Sequence, residues 1–368
     1  FSGFQQGITP PPLGILFKGT IKDLFEDYIV EGGARYPTTF NGSEYYLTLH
    51  NRKGRIDKSY SVYRRVLKET EETGFFTTIR KNYVTLMAQT EWKYPLDVYT
   101  SIRGTFTLRN DLFSYSITDL TTLELPDVNE QRAGLRLEYV YDNTIDLGIN
   151  MLQGTRYKFF YETVKRFSLR LKEPASLRFN EGFLNIVGLD FRHYEKILGR
   201  SVFATRFAGA TSFGSEKVLY QMGGINNWLL PSFNGQIPYP QSDEFAYQQL
   251  AQQMRGFNLN IRNGSSFAVW NTELRIPLFQ YLSKSKIRMS FLRNFQVVGF
   301  LDVGTAWLGF SPFDRKNPLN TLELSNPAVD LEVNFFRDPI VAGYGLGART
   351  TLFGYFIRAD YGWGIDTK

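Results

Sequence analysis

The stretch Phe267-Ala268-Val269-Trp270-Asn271-Thr272-Glu273-Leu274-Arg275-Ile276 changes character at nearly every second position. Its apolar and polar residues fall on opposite faces, with Ala268, Trp270, Leu274 and Ile276 on one side and Asn271, Glu273 and Arg275 on the other. Successive side chains of a β-strand point to opposite faces of the sheet. The stretch therefore predicts a strand that is apolar on one face and charged on the other.

The next predicted strand, residues 297–307, alternates in the same way and carries one charge, Asp302, opposite its apolar face. Glu273 and Asp302 thus point to the polar side of two neighbouring strands. The preceding polar loop contains Met254-Arg255-Gly256-Phe257. Because a planar guanidinium can bind two carboxylates at once, we expect Arg255 to fold against the strands and pair with Glu273 and Asp302.

These residues resemble a known family. Met254-Arg255-Gly256-Phe257 is similar to the Val/Ile-Arg-Gly-Phe/Tyr loop motif of the BamA-like superfamily of outer-membrane assembly factors and transporters, although methionine replaces the usual first residue. The stretches around Glu273 and Asp302 resemble the two following family strands. Further matches occur in family order: Asp142-Asn143-Thr144, Gly154-Thr155-Arg156, Gly223-Gly224 and the closing hairpin Tyr344–Asp366. The strand and turn style resembles that of Bacteroidota members.

The resemblance implies an all-β fold, a transmembrane antiparallel β-barrel with an even number of strands, about 16 in this family. Residues 1–12, which end in three prolines, are predicted to be a lead-in segment. Residues 13–368 would form the barrel, with a long inserted lumen loop at about 225–265. The sequence stops after the strand that should be the last but one, so the last strand is expected to be absent from this chain.

Composition agrees with such a barrel. The 368 residues include 22 Tyr, 32 Phe and no Cys, and the mean hydropathy is −0.26. No run of 18 apolar residues is present, so the sequence offers no transmembrane helix, whereas alternating strands average out in hydropathy. A soluble all-β protein with an aromatic core is the alternative. The modest net charge of +6, interleaved with acids, argues against nucleic-acid binding.

The pattern of strands is a meander. Short segments from Leu13 onward end at three predicted turns, Gly32-Gly33, Asn41-Gly42 and Lys53-Gly54. Residues 57–72 are ambiguous because Lys68–Glu72 could extend a helix, but we interpret them as a strand with a charged tip. Longer strands are predicted at about 78–95, 97–115, 134–141, 155–170, 183–197 and 201–214. In residues 134–141, leucine and tyrosine side chains are predicted to face lipid, and Arg136 and Glu138 to face water.

Three glycines, Gly343, Gly345 and Gly347, alternate in the closing hairpin and therefore share one face. No helical pattern follows them, which argues against a phosphate-binding loop. On the inner wall of a barrel they would leave space for the inserted loop. A loop of this length is either disordered or functional. We expect Arg255, Gly256 and Phe257 to hold it in the lumen, where it plugs the pore and braces the wall opposite the seam between the first and last strands.

Catalytic chemistry is not indicated. The chain has two histidines, no cysteine and no Gly-x-Ser-x-Gly motif, so no catalytic residue, metal site or cofactor is predicted. The resemblance implies a barrel that inserts or translocates client polypeptides through its seam. Its partners would be outer-membrane lipids, client outer-membrane proteins and periplasmic or lipoprotein subunits. The alternatives are a structural anchor in a larger complex, a passive pore, and the barrel of a fused periplasmic enzyme.

Overall fold

The computed structural model describes most of the chain. The described residues are 2–3, 14–39, 41–72, 78–116, 127–170, 176–225, 232–235, 237, 240, 245–314, 317, 321–326, 329–334 and 338–366. The proline run 10–12 of the predicted lead-in segment lies outside them, as do Pro231 and Pro238 of the predicted loop.

Strands make up nearly all of the regular structure. In chain order they are β1 Ser2–Gly3, β2 Gly14–Lys22, β3 Tyr28–Pro37, β4 Gly42–Asn51, β5 Asp57–Glu72, β6 Thr78–Pro95, β7 Thr100–Ser116, β8 Val128–Asp142, β9 Ile145–Gly148, β10 Met151–Arg170, β11 Ser176–Phe179, β12 Leu184–Ile197, β13 Ser201–Gly214, β14 Lys217–Met222, β15 Phe245–Leu250, β16 Arg262–Gly264, β17 Ser266–Ile276, β18 Gln296–Trp307, β19 Thr321–Asn326, β20 Val329–Asn334, β21 Val341–Leu352 and β22 Tyr355–Ile365. Two short helices, α1 Leu278–Leu282 and α2 Ser290–Arg293, separate β17 from β18.

One large antiparallel sheet of 16 strands forms the barrel wall. Two of its strands, β9 and β11, pair only with β10, and the others follow one another in chain order from β2 to β22. Among the described residues, β2 pairs with β3 alone and β22 pairs with β21 alone. The prediction of an all-β antiparallel barrel is confirmed, and β2 and β22 are the two ends of its wall.

The two faces of the wall differ as the alternation predicts. On β8, Leu135, Leu137 and Tyr139 are 45%, 51% and 40% exposed on the outer face. Arg136 and Glu138 point inward, where Nη2 of the arginine lies 2.7 Å from Oε1 of the glutamate. Inward charges thus pair with one another, and the outer face presents apolar side chains.

The segment between β13 and β17 lies inside the wall. Its strand β14 pairs parallel with β15 and antiparallel with β16, and β1 adds to the free edge of β15. Buried residues of this segment, including Val218 and Met222, share one hydrophobic cluster with wall residues such as Leu184 and Val269. We call residues 215–265 the inserted segment; its described residues fill part of the lumen.

The structure corrects two details of the sequence interpretation. The predicted lumen loop at about 225–265 contains two short strands, β15 and β16, and β14 precedes it. Gly32 and Gly33 lie in the middle of β3 and do not form a turn. Gly33 pairs with Tyr46 of β4, and a Cβ atom on it would lie 2.7 Å from Cζ of the Tyr46 ring, so this glycine makes room for the tyrosine.

Other predicted elements occur where the pattern put them. The ambiguous segment is the strand Asp57–Glu72, and the closing hairpin is β21 and β22, joined at Phe353 and Gly354, which both have positive φ. The helices α1 and α2 lie at the end of the wall where most turns are short. None of the helices in the described ranges is long and apolar enough to cross a membrane.

Candidate functional site in the lumen

The tip of the inserted segment is the tetrapeptide Met254–Phe257, and two glycines at the start of the segment shape it. The backbone NH of Met254 donates to the carbonyl of Gly224 at 2.9 Å, and the NH of Gly224 donates to the carbonyl of Phe257 at 3.1 Å. Gly223, Gly224 and Gly256 have φ angles of +131°, +68° and +90°, which favour glycine. These bonds fix the direction in which Arg255 leaves the tip.

Arg255 reaches both predicted carboxylates. Its Nε and Nη2 donate to the two oxygens of Asp302 at 2.7 and 2.6 Å, and its backbone NH donates to Oδ2 at 3.1 Å. Its Nη1 donates to Oε1 of Glu273 at 2.5 Å. The structure thus brings Arg255, Glu273 and Asp302 together, with the guanidinium fork bridging β17 and β18.

Sequence reasoning missed two further arginines. Arg349 of β21 donates from Nη1 and Nη2 to Glu273 at 2.9 and 2.7 Å, and Nε of Arg275 donates to the same carboxylate at 2.9 Å. The alternation of faces along a strand could have predicted both arginines. Arg275 lies two residues after Glu273 and Arg349 lies two residues after Gly347, so each shares the inner face with a residue that was predicted to lie there. We call Arg255, Arg275, Arg349, Glu273 and Asp302 the Arg255 cluster.

The cluster is buried, with Arg255 1% exposed, Asp302 0% and Glu273 7%. Burial acts to lower the pKa of the Arg255 guanidinium. Hydrogen bonds to Asp302 and the charges of Asp302 and Glu273 outweigh it and raise the pKa above its ordinary value. These charges are removed from water, so each depends on its partners.

The Phe300 ring packs against the guanidinium of Arg255. The Cζ atom of Arg255 lies 3.9 Å from the centroid of the Phe300 ring, a cation–π distance. The ring in turn lies over two glycines: Cβ atoms on Gly345 and Gly362 would be 2.7 and 3.0 Å from Cζ of Phe300. Phe300 was not predicted, and its position on the inner face two residues before Asp302 is the signal that could have found it.

The three alternating glycines of β21 lie against different groups. A Cβ atom on Gly343 would collide with the carbonyl oxygen of Arg255, so the tip lies directly against this glycine. Gly345 instead accommodates Phe300, and a Cβ atom on Gly347 would collide with the carboxylate of Asp360. The prediction that all three face the loop therefore needs correction, because strand β22 and the Phe300 ring cover the second and third.

Two glycines of β22 that sequence reasoning missed complete the contact. A Cβ atom on Gly364 would lie 2.6 Å from Cζ of Phe257, and one on Gly362 would lie 3.1 Å from the nitrogen of Gly256. Conversely, a Cβ atom on Gly256 would lie 2.6 Å from the carbonyl carbon of Trp363. The tip therefore packs on β22, the strand at one end of the described wall.

Both carboxylates of the Arg255 cluster are ion-paired with arginines. Within the described residues, no group of three or more His, Cys, Asp or Glu side chains could hold a metal ion. The cluster joins the loop to three consecutive wall strands, β17, β18 and β21, and the packing of Gly256 and Phe257 adds β22.

The wall, the inserted segment and its tip define a barrel of the BamA-like fold. Similar solved structures are BamA from Haemophilus ducreyi lacking POTRA domains 1–3, with a TM-score of 0.59 and 13% identity, and CdiB from Acinetobacter baumannii, with 0.55 and 12%. CdiB from Escherichia coli gives 0.52 and 12%. No family model and no curated protein matches the sequence.

The likeness extends over nearly the whole of this chain but over only part of the others. It covers 98%, 95% and 96% of the present chain, and 65%, 52% and 56% of the three solved chains in the same order. At these identities the comparison establishes the fold of the barrel.

Proposed function

We propose that this chain is the barrel of a BamA-like outer-membrane protein that inserts or translocates client polypeptides through the seam between its first and last strands. Its partners would be outer-membrane lipids, client outer-membrane proteins and periplasmic or lipoprotein subunits. The barrel itself would perform no covalent chemistry and would need no cofactor.

The observation that carries the proposal is the contact between the tip and the end of the wall. Arg255 is bound to β17 and β18, while Gly256 and Phe257 lie on Gly362 and Gly364 of β22. The inserted segment is therefore connected to a strand at one end of the described wall, which would lie close to the seam. A movement of β22 would displace the inserted segment, and a movement of the inserted segment would displace β22.

The ends of the wall supply the second support. Among the described residues, β2 and β22 each have one neighbouring strand, so each presents a row of backbone donors and acceptors on its other side. Such an edge binds an extended chain by adding it as a further strand. A client strand would pair at the seam with main-chain hydrogen bonds, which requires no particular client sequence.

A passive pore is disfavoured by the inserted segment. Val218, Met222 and Met254 are 0% exposed and belong to the same hydrophobic cluster as the wall. Removing this segment from the lumen would expose that apolar surface to water, which is costly. An open channel would thus require a large rearrangement.

A structural anchor is the second candidate, favoured by the Arg255 cluster. Five buried charged groups on four chain segments form an extensively paired network. A network of this kind suits a barrel that stays rigid and holds other subunits in place, with the seam sealed.

A cross-linking experiment separates the two candidates. In the full-length protein, with any cysteine outside this chain replaced, single cysteines on alternate residues of the first barrel strand would be combined with single cysteines on the last barrel strand, and pairs that oxidise would be kept. We expect oxidation of a seam pair to stop client assembly and reduction to restore it. The control is Gln89→Cys with Thr107→Cys, whose backbones are paired on β6 and β7.

The control cross-link lies within a continuous part of the wall and should leave assembly unchanged. If a seam cross-link leaves assembly unchanged as well, the insertion proposal is wrong and the anchor is favoured. If both cross-links stop assembly, general rigidity matters and the seam has no special role.

A further inference from the structure

The connection between β17 and β18, residues 277–295, differs from the rest of the chain in charge. It contains Lys284, Lys286, Arg288 and Arg293 and no Asp or Glu. Over the whole chain, 42 basic and 36 acidic residues leave a net charge of only +6. We call residues 277–295 the rim segment.

The four cations of the rim segment face solvent. All four residues are exposed, and no carboxylate in the described part of the chain forms an ion pair with them. By contrast, inward arginines such as Arg206 and Arg349 bind carboxylates at 2.6 and 2.7 Å. The charges of the rim segment therefore remain available to a partner of opposite sign.

The rim segment lies on the outer side of the wall. Ser201 of β13 shares a face with the outward-facing Phe203, yet it is 1% exposed because the hydroxyl of Tyr281 covers it at 3.0 Å. On β21, Thr350 shares a face with the exposed Leu346 and donates to the carbonyl of Phe291 at 2.7 Å. Both helices thus contact the outer face of the wall at the rim, and α2 also contacts Thr351 at the end of the inner face through Ser290 and Asn294.

Large apolar side chains flank the cations. Leu282 is 70% exposed and Met289 is 62% exposed, one on each side of Lys284, Lys286 and Arg288. A segment with basic residues between exposed apolar residues, placed beside an apolar wall, has the composition of an interfacial membrane anchor. Most turns at this end of the barrel are short, which is typical of the periplasmic end of such barrels.

We propose that the rim segment binds anionic phospholipid headgroups through Lys284, Lys286 and Arg288, with Leu282 and Met289 inserted among the acyl chains. This inference rests on the proposed placement in a membrane. It would fix the height and tilt of β17 and β18, the two strands that carry Glu273 and Asp302. Lipid composition would thereby act on the part of the wall that holds the inserted segment.

The test uses the full chain folded into vesicles of phosphatidylcholine, with or without phosphatidylglycerol. An environment-sensitive dye on Ser285→Cys reports the rim segment, and the same dye on Val98→Cys reports another exposed position at the same end. We expect a blue shift at residue 285 in phosphatidylglycerol vesicles that is small in phosphatidylcholine and reversed at about 1 M salt, where screening is strong. The dye at residue 98 should respond little to the lipid.

Charge variants identify the cations responsible. The triple variant Lys284→Gln, Lys286→Gln, Arg288→Gln should weaken the response to phosphatidylglycerol by about tenfold or more, since each cation near the surface contributes to binding. The matched control is Arg52→Gln, Lys53→Gln, Arg55→Gln, which removes the same charge from the turn after β4 at the same end. The control should retain the response.

Each outcome is decisive. Equal dye spectra in both lipids would overturn the lipid anchor and would point to an acidic protein partner instead. Equal loss of the phosphatidylglycerol response in both triple variants would also overturn it. Folding is measured separately by heat-modifiable migration in gels. A chain that does not fold into either kind of vesicle would contradict the proposed membrane function, whereas a folded barrel without a lipid-dependent shift contradicts the anchor alone.

Discussion

At the scale of single residues, Arg255 forms more stabilising contacts than its position in a loop would suggest. Its guanidinium is the donor to both oxygens of Asp302 and to Glu273, and it stacks on Phe300. Loss of one partner from a buried ionic group leaves uncompensated charge, which is more damaging than exchanging the whole group for apolar residues.

Arg255→Ala should therefore lower the free energy of unfolding by about 3–5 kcal/mol, the cost of breaking a buried ion pair. Arg255→Lys should recover only part of this loss, because an ammonium cannot bridge two carboxylates as the planar fork does. The measurement is the temperature at which the folded band disappears in detergent gels. Arg52→Ala, in an exposed turn, serves as the control, and a melt of Arg255→Ala equal to wild type would show that the cluster does not hold the segment.

Gly343 gives a second prediction at this scale. A Cβ atom there would collide with the carbonyl oxygen of Arg255, so Gly343→Ala should prevent the tip from seating and cost about 1–3 kcal/mol, as overpacking does. Gly19→Ala in β2 is the matched control, because nothing lies within 4 Å of a Cβ atom at that strand position. Unfolding in denaturant compares the two.

Combining Gly343→Ala with Arg255→Ala tests whether Gly343→Ala destabilises the protein by displacing the tip. In the Arg255→Ala background the tip is no longer held, so Gly343→Ala should cost less than it does alone, since coupled sites are not additive. Fully additive losses would mean that Gly343 acts through β21 itself and not through the tip.

Much of the residue-level site follows from the strand period, and some of it does not. Glu273 and Asp302 were predicted because each is a charge on an alternating strand, and the same rule applied to Arg275 and Arg349 would have enlarged the cluster. The roles of Gly345 and Gly362 could not be predicted, because they depend on how far the Phe300 ring reaches across neighbouring strands. That reach is set by strand tilt, which one sequence does not reveal.

At the scale of elements, the long alternating strands could be predicted from the sequence, whereas the short strands could not. The strands Thr78–Pro95 and Ser201–Gly214 occur where the pattern placed them. The strands of the inserted segment, such as Lys217–Met222 and Arg262–Gly264, were missed because they are short and pair over long sequence separations, β14 with β15 in parallel. Their burial on both faces also removes the alternation that marks a strand.

Removal of the inserted segment should open the barrel. A cavity of about 370 Å³ already lies between Tyr247 of the segment and the wall around Gln89 and Thr107. Replacing residues 215–265 with a short Gly/Ser turn would join β13 to β17 as an ordinary hairpin and extend this cavity along the lumen. We expect the conductance in planar bilayers to rise well above that of the intact chain.

The matched control removes the hairpin of β19 and β20, Thr321–Asn334, from the connection between β18 and β21. Within the described part of the chain, these two strands pair with each other alone, in a separate sheet. Their removal should leave conductance unchanged. If both deletions raise conductance to the same level, the inserted segment is not the barrier in the lumen.

At the scale of the whole molecule, the two faces of the wall require two different solvents. The inner face carries paired charges such as Asp190 with Arg206, at 2.6 Å. The outer face exposes large apolar residues along successive strands, among them Leu137, Phe159, Trp270 and Leu301, which are 51%, 54%, 50% and 43% exposed. Soluble monomers rarely expose apolar surface as a continuous belt, so this distribution favours a lipid-facing exterior.

This distribution predicts opposite outcomes for the same new charge on the two faces. Leu137→Arg places a cation on the outer face of β8 and should reduce folding into vesicles, with a cost of about 2–4 kcal/mol if the residue lies near the bilayer midplane. Gln89→Arg places a cation beside the lumen cavity, whose lining mixes acidic residues such as Glu91 with basic residues such as Arg109, and should fold as wild type does because this face already carries charges. The folded fraction in vesicles, read from gel migration, compares them. An outer face in contact with water would reverse the expectation, because Leu137→Arg would then fold normally and increase solubility. That result would favour the soluble all-β alternative and would remove the lipid on which both the seam mechanism and the rim anchor depend.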